Sequence, residues 1–252
     1  MTNYPTNVSN SQWQIISISL DTERNRKYEL REIVNAILYL VKTGCQWRML
    51  PADFPKWQIV YYYFSVWKNN GVFEQIHELL VEKIRKQQGK NEEPGVGIID
   101  AQSVKNTLVS SQSKGFDAGK KIKGVKRHII VDTLGLILAV VIQSASVQDR
   151  DGAIDVIDNL LENWKKVIKI FADSSYRGKL INTVKLKFKI ALEIIKRDEA
   201  HTFKILPKRW IVERTFSWLD TNRRNSKNYE RLNKTSVAMV HLSAIRIMIN
   251  RF

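Results

Sequence analysis

Near Val96 the hydrophobic pattern of this chain changes period. Upstream, apolar residues recur every three or four positions, as along one face of a helix. Downstream, short runs rich in Ile and Val take over, separated by turns and helical stretches. A chain patterned this way folds as a helical unit followed by a mixed α/β unit. The boundary falls in Asn91-Glu92-Glu93-Pro94-Gly95, a polar stretch of turn residues. Residues 1–90 are expected to form a small all-α unit, and residues 91–252 an α/β unit.

In the first unit, Ser9-Asn10-Ser11-Gln12 reads as a capping box ahead of Trp13, Ile15 and Ile16. Leu30, Ile33, Val34, Ile37, Leu38 and Val41 share a helix face that Gly44 can cap. Further helical patterns cover residues 56–69 and 72–88. Three or four short helices with tight turns suit a helix-turn-helix-like arrangement. The aromatics Trp47, Trp57, Tyr61, Tyr62, Tyr63, Phe64 and Trp67 sit at helical spacing, so most are expected in the core.

In the second unit, residues 96–99, 126–131, 136–144, 167–172 and 189–195 read as strands. Asp132-Thr133-Leu134-Gly135 is a short turn, so the second and third strands form an antiparallel hairpin. Helices are expected over residues 151–163, 180–187, from 210 onward and over 234–250. This is the order of an RNase H-like domain, although other mixed folds share it. In the RNase H-like case strands one and four lie side by side.

Two of these runs end abruptly in an acid: Gly97-Ile98-Ile99-Asp100 and Ile170-Phe171-Ala172-Asp173. A strand of Ile and Val gains nothing from ending in a charge. Side by side, the two strands would bring both aspartates to one sheet edge, and Glu213 would join them from an amphipathic helix. Oxygen ligands of this kind suit Mg²⁺ or Mn²⁺, and two such ions can activate the attacking and leaving oxygens of a phosphodiester. The bland alternative is a pair of solvated strand ends. The other acids have local explanations: Asp132 in a turn, Asp149 and Asp151 at a helix start, Glu193 in a strand, Asp198 and Glu199 in a loop. Asp220, on a face similar to that of Glu213, is the credible decoy.

Charge points to the substrate. The formal net charge is +16. Residues 1–99 carry 12 Lys and Arg against 10 Asp and Glu, whereas residues 100–252 carry 29 against 15. The excess therefore travels with the candidate acids, as expected for a polyanion-binding surface. Lys105, Lys120, Lys121, Lys123, Lys126 and Arg127 cluster between the first two strands, with Gly115, Gly119 and Gly124 for flexibility. Tyr176 and Arg177 follow Asp173; Arg209 and Arg214 flank Glu213; Arg223 and Arg224 extend the strip. All are candidate DNA contacts, with a solvated basic surface as the alternative.

The single cysteine, Cys45, cannot form an internal disulfide, and neither His128 nor His201 has a histidine partner at metal-ligand spacing, which argues against zinc. The first residues are polar, and no apolar run approaches the roughly 20 residues that span a bilayer. A cytoplasmic, nucleoid-associated protein is expected.

Several motifs together resemble the bacterial insertion-sequence transposases of the DDE type. They are residues 28–39, Thr43-Gly44-Cys45-Gln46-Trp47-Arg48-Met49-Leu50-Pro51, Ile99-Asp100-Ala101-Gln102-Ser103-Val104-Lys105, residues 115–121, residues 126–128, residues 132–135, residues 172–178 and residues 209–216. The resemblance implies an RNase H-like core, a catalytic and metal-binding triad of Asp100, Asp173 and Glu213, and two Mg²⁺ or Mn²⁺ ions. It also implies cleavage at inverted-repeat ends and joining to target DNA, with a homodimer on double-stranded DNA. Related transposases place a Tyr before the Arg and a basic residue after the Glu; here Leu206 and Asp220 stand at those positions. A structure-directed nuclease, or a DNA-binding protein without catalysis, would share many of these features.

Overall fold

The computed structural model describes residues 4–110, 112–195 and 209–252. Asp198, Glu199, His201 and Leu206 lie outside them. The chain opens with α1 (Asn10–Ser17), α2 (Leu30–Thr43), α3 (Trp57–Asn69) and α4 (Val72–Gln87). The capping box forms as expected: Ser9 caps the Gln12 amide, and the Gln12 side chain answers to the Ser9 amide. Gly44 ends α2 in the left-handed conformation (φ 70°), which glycine adopts without a Cβ clash.

The sheet contains β1 (Val96–Lys105), β2 (Gly115–Asp117), β3 (Ile122–Val131), β4 (Ile137–Ser144), β5 (Lys169–Ala172) and β6 (Ala191–Ile194). β4 and β2 pair with β3, which pairs with β1, followed by β5 and β6. The β4–β3–β1 side is antiparallel and the β1–β5–β6 side parallel. This is the RNase H-like mixed sheet.

The sheet differs from expectation in two instructive places. β1 is 10 residues long rather than four, so Asp100 sits in mid-strand opposite Ile129. What ends near Asp100 is the parallel pairing with β5, whose last partners are Ile98 and Phe171. β2 replaces part of the expected flexible loop. It pairs with β3 through Gly115–Gly124, Phe116–Lys123 and Asp117–Ile122. On the other side of β3, Gly124 lets β1 approach closely: a Cβ there would lie 1.8 Å from the Val104 carbonyl oxygen of β1. Gly124→Ala is therefore expected to cost roughly 1–3 kcal/mol of stability through forced strand separation, read as a lower urea midpoint. An unchanged midpoint would show that the strands separate at no cost.

Helices cover both faces of the sheet. α5 (Asp149–Asn163) packs on β3 and β4, and α6 (Lys179–Phe188) packs on β6. α7 (Arg209–Asp220) lies over β1 and β3, and α8 (Asn233–Ile249) over β4. α8 also packs on α4 and α2. The buried apolar residues consequently run as one cluster from Val8 to Ile249. A second joint is polar. Arg85 of α4 pairs with the fully buried Asp132 after β3 and also donates to the carbonyls of Asn91 and Glu92.

Candidate active site

Strands β1 and β5 run in parallel, so both deliver residues to the same end of the sheet. Asp100 follows the last β1–β5 pair by two residues on β1, and Asp173 by two on β5. Asp173 caps the 3₁₀ turn Ser174–Tyr176, accepting from the Ser175 amide at 2.8 Å and from its hydroxyl. That capping bond fixes one oxygen and leaves the other for the pocket. Asp100 accepts from the Ala101 amide at 2.7 Å.

Asp100, Asp173 and Arg209 line one small pocket whose walls include Ile98, Phe171, Ile195 and Val212. Burial pushes the Asp100 carboxyl up to about 6; the nearby Asp173 adds to this, while the Ala101 amide, Arg209 and Lys120 oppose it. A bare negative charge is thus disfavoured there, and a counter-ion would relieve the penalty.

Glu213 lies one helical turn beyond Arg209 on α7. Arg209 joins it to the site: Nε is 3.0 Å from Glu213 Oε1, and Nη2 is 3.7 Å from Asp173 Oδ2. The carboxylates fit a hard divalent cation in kind. As placed, no three His, Cys, Asp or Glu groups among the described residues converge to hold one. Asp100 and Asp173 share the pocket, while Glu213 is turned to Arg209.

A family model described as a transposase DDE domain matches residues 91–248. The chain belongs to the DDE transposase family. A second model, for transposases of the IS4/5 family, matches residues 8–77. Among solved structures, the chain is similar to one in the Mos1 mariner paired end complex with Mn, at 9% identity and a TM-score of 0.34, covering 92% of this chain and 79% of that one. It is also similar to one in the Mos1 strand transfer complex, at 11% identity and a TM-score of 0.32, covering 92% and 78%. No curated protein matches it. Among the described residues, no helix is long and apolar enough to cross a membrane.

In this DDE transposase the candidate DNA contacts divide into three groups. Lys105, Lys120, Lys121, Lys123, Arg177 and Arg223 are exposed. Lys120 stands beside the acids, its amide held by Asp117 and its ammonium donating to the Ala101 carbonyl at 3.2 Å. Arg209 and Arg214 are half-buried and engaged. The Arg214 guanidinium lies between the rings of Trp210 (4.5 Å) and Trp218 (4.3 Å) and donates to the Leu134 carbonyl.

The third group corrects the surface reading: Lys126, Arg127, Tyr176 and Arg224 are buried. Lys126 meets Asp149 at 2.8 Å and Asp117 at 3.6 Å. Arg127 donates to the Asn225 carbonyl at 2.8 Å. Arg224 pairs with Glu230 at 2.7 Å. Tyr176 packs in the hydrophobic core with no solvent exposure. Lys126, Arg127 and Arg224 are thus engaged inside the protein, and Tyr176 is enclosed by its core.

Sequence reasoning missed Asp117 and Gln102. Asp117 orders the β2–β3 turn that carries Lys120, and the run Asp117-Ala118-Gly119 ahead of a β-type stretch is a hairpin signal. Gln102 donates to Asp220 at 3.1 Å, which ties the decoy acid to β1.

Proposed function

We propose that this chain is an insertion-sequence transposase that cuts DNA at the inverted-repeat ends of its element and joins those ends to target DNA. The observation that carries the reading is the meeting of Asp100, Asp173 and the Arg209–Glu213 pair at one end of the sheet, in a chain of this family. Asp100 and Asp173, joined by Glu213 once it is free of Arg209, would hold two Mg²⁺ or Mn²⁺ ions. Bound there, the cations would supply Lewis-acid activation of the attacking and leaving oxygens.

The remaining work falls to the protein. Ile98, Phe171 and Val212 give the pocket apolar walls beside the acids. Lys120, near Asp100, and Arg177, four residues after Asp173, lie exposed, suited to hold phosphates beside the scissile bond. Residues 1–90 are proposed to bind the element ends. There α3 exposes Tyr61 and Tyr62, with Arg48 stacked over Trp57 nearby. Joining two ends requires two active sites, so a homodimer on DNA is expected.

The test is strand transfer on linear DNA carrying the flanking inverted repeats, with Mg²⁺. Joined products support the proposal; cleavage without joining would make the chain a nuclease. A further expectation concerns salt. Six exposed cations on the phosphate backbone predict a loss of affinity on the order of 10³-fold as salt rises from about 50 to about 200 mM. A flat salt dependence in a filter-binding titration would remove the phosphate-contact argument.

A further inference from the structure

Arg209 occupies an unusual position for a DNA-contacting residue. Its guanidinium lies between two acids of the candidate site, 3.0 Å from Glu213 and 3.7 Å from Asp173, and it lines the pocket that Asp100 shares. Its side chain is 33% exposed, so one side remains open to solvent. Lys120, the other cation near Asp100, donates to a backbone carbonyl instead. Part of the site's negative charge is therefore offset from within, by a group that competes for the oxygens a metal would use.

We infer that Arg209 is the internal counter-ion of the cation-free site, and that a divalent cation binds by displacing it from Asp173 and Glu213. This rests on the metal-dependent reading above. Two like charges cannot share the same carboxylates at a few ångströms without strong repulsion. Displacement frees the guanidinium on its solvent side, where a phosphate oxygen of DNA can take it. Cation and DNA then assist each other: each draws a different partner away from the Arg209–carboxylate contact. Linkage makes the effect reciprocal, so a given factor in cation affinity caused by DNA appears equally in DNA affinity caused by the cation.

The experiment measures Mn²⁺ binding to the full chain without DNA, by calorimetry and by the electron paramagnetic resonance signal of free Mn²⁺. The proteins are wild type, Arg209→Gln, Arg209→Lys and Asp173→Asn, each checked for folding by its thermal melt. Removing the competing charge is expected to tighten Mn²⁺ binding about tenfold in Arg209→Gln. Arg209→Lys keeps the charge without the fork and falls between, and it carries the test if Arg209→Gln does not fold. Asp173→Asn loses binding. An inverted-repeat duplex should raise Mn²⁺ affinity in wild type and do so less in Arg209→Gln. Equal or weaker Mn²⁺ binding in the folded Arg209 variants overturns the inference while leaving the metal-dependent reading intact. A wild-type protein that binds no Mn²⁺, with or without DNA, overturns both.

Discussion

Asp173→Asn is expected to lower cleavage at the element ends on the order of 10³-fold while leaving DNA affinity, measured without divalent cation, nearly unchanged. The substitution keeps the shape of the side chain. An asparagine oxygen can still accept from the Ser175 amide, so the 3₁₀ turn after β5 should survive. What is lost is the negative charge facing Arg209 and the pocket. Asp220→Asn is the control, because Asp220 is an acid on the same helix that Gln102 ties to β1. It should cleave within about twofold of wild type, since an asparagine oxygen can still accept from Gln102. Single-turnover cleavage of labelled inverted-repeat DNA, with binding measured separately, reads both numbers. If Asp173→Asn cleaves normally, the assignment of Asp173 fails. If Asp220→Asn is the dead variant, the third acid is misassigned.

The second large effect concerns stability. Asp132 has no exposed surface and is surrounded by donors: Arg85, the Leu134 amide at 2.8 Å and the Leu136 amide at 2.9 Å. Removing it in Asp132→Ala strands a buried guanidinium and uncaps the β3–β4 turn together. Breaking one partner of a buried pair typically costs about 3–5 kcal/mol, which for a chain of this size lowers the melting temperature by about 10 °C. The double variant Arg85→Met, Asp132→Asn should recover part of that loss, because no charge is left unpaired. Urea titration of Asp132→Ala and of the double variant reads the loss and its recovery. A single variant that melts with wild type would show that the pair contributes nothing to holding α4 against the sheet.

The sheet was largely legible in the sequence because its strands are short, apolar and separated by turns. Asp132-Thr133-Leu134-Gly135 marked the β3–β4 hairpin directly. The extent of β1 was not legible. Past Asp100 the polar pair Gln102-Ser103 interrupts the apolar run, and the pairing with β3 is decided by a partner about 25 residues away in sequence. Asp100 and Asp173 stood out because most other acids had local explanations, whereas Asp220 remained a rival to Glu213, which only the family resemblance singled out. The basic residues could not be sorted in that way. Lys126 and Arg127 look like a surface patch in sequence, but neighbouring strand residues point to opposite faces, and both faces of β3 are covered. Lys126 turns to Asp149, an acid that the sequence alone explains as a helix start. The counter-ions that bury a charge come from distant segments, so burial of Lys or Arg is a tertiary fact.

The position of α8 has a consequence for how the protein is made. Its apolar residues close the cores of both α4 and β4, yet α8 begins 146 positions after α4 ends. During synthesis at about 5–20 residues per second, the emerging helices therefore wait many seconds for the element that covers them. A message broken before Asn233 would yield a chain whose first helices keep Phe73, Ile76 and Leu80 short of their cover. Such a fragment is expected to be open to proteolysis rather than to persist as a folded unit. Under the proposed function, the fold would thereby tie occupancy of the element ends to completion of α8.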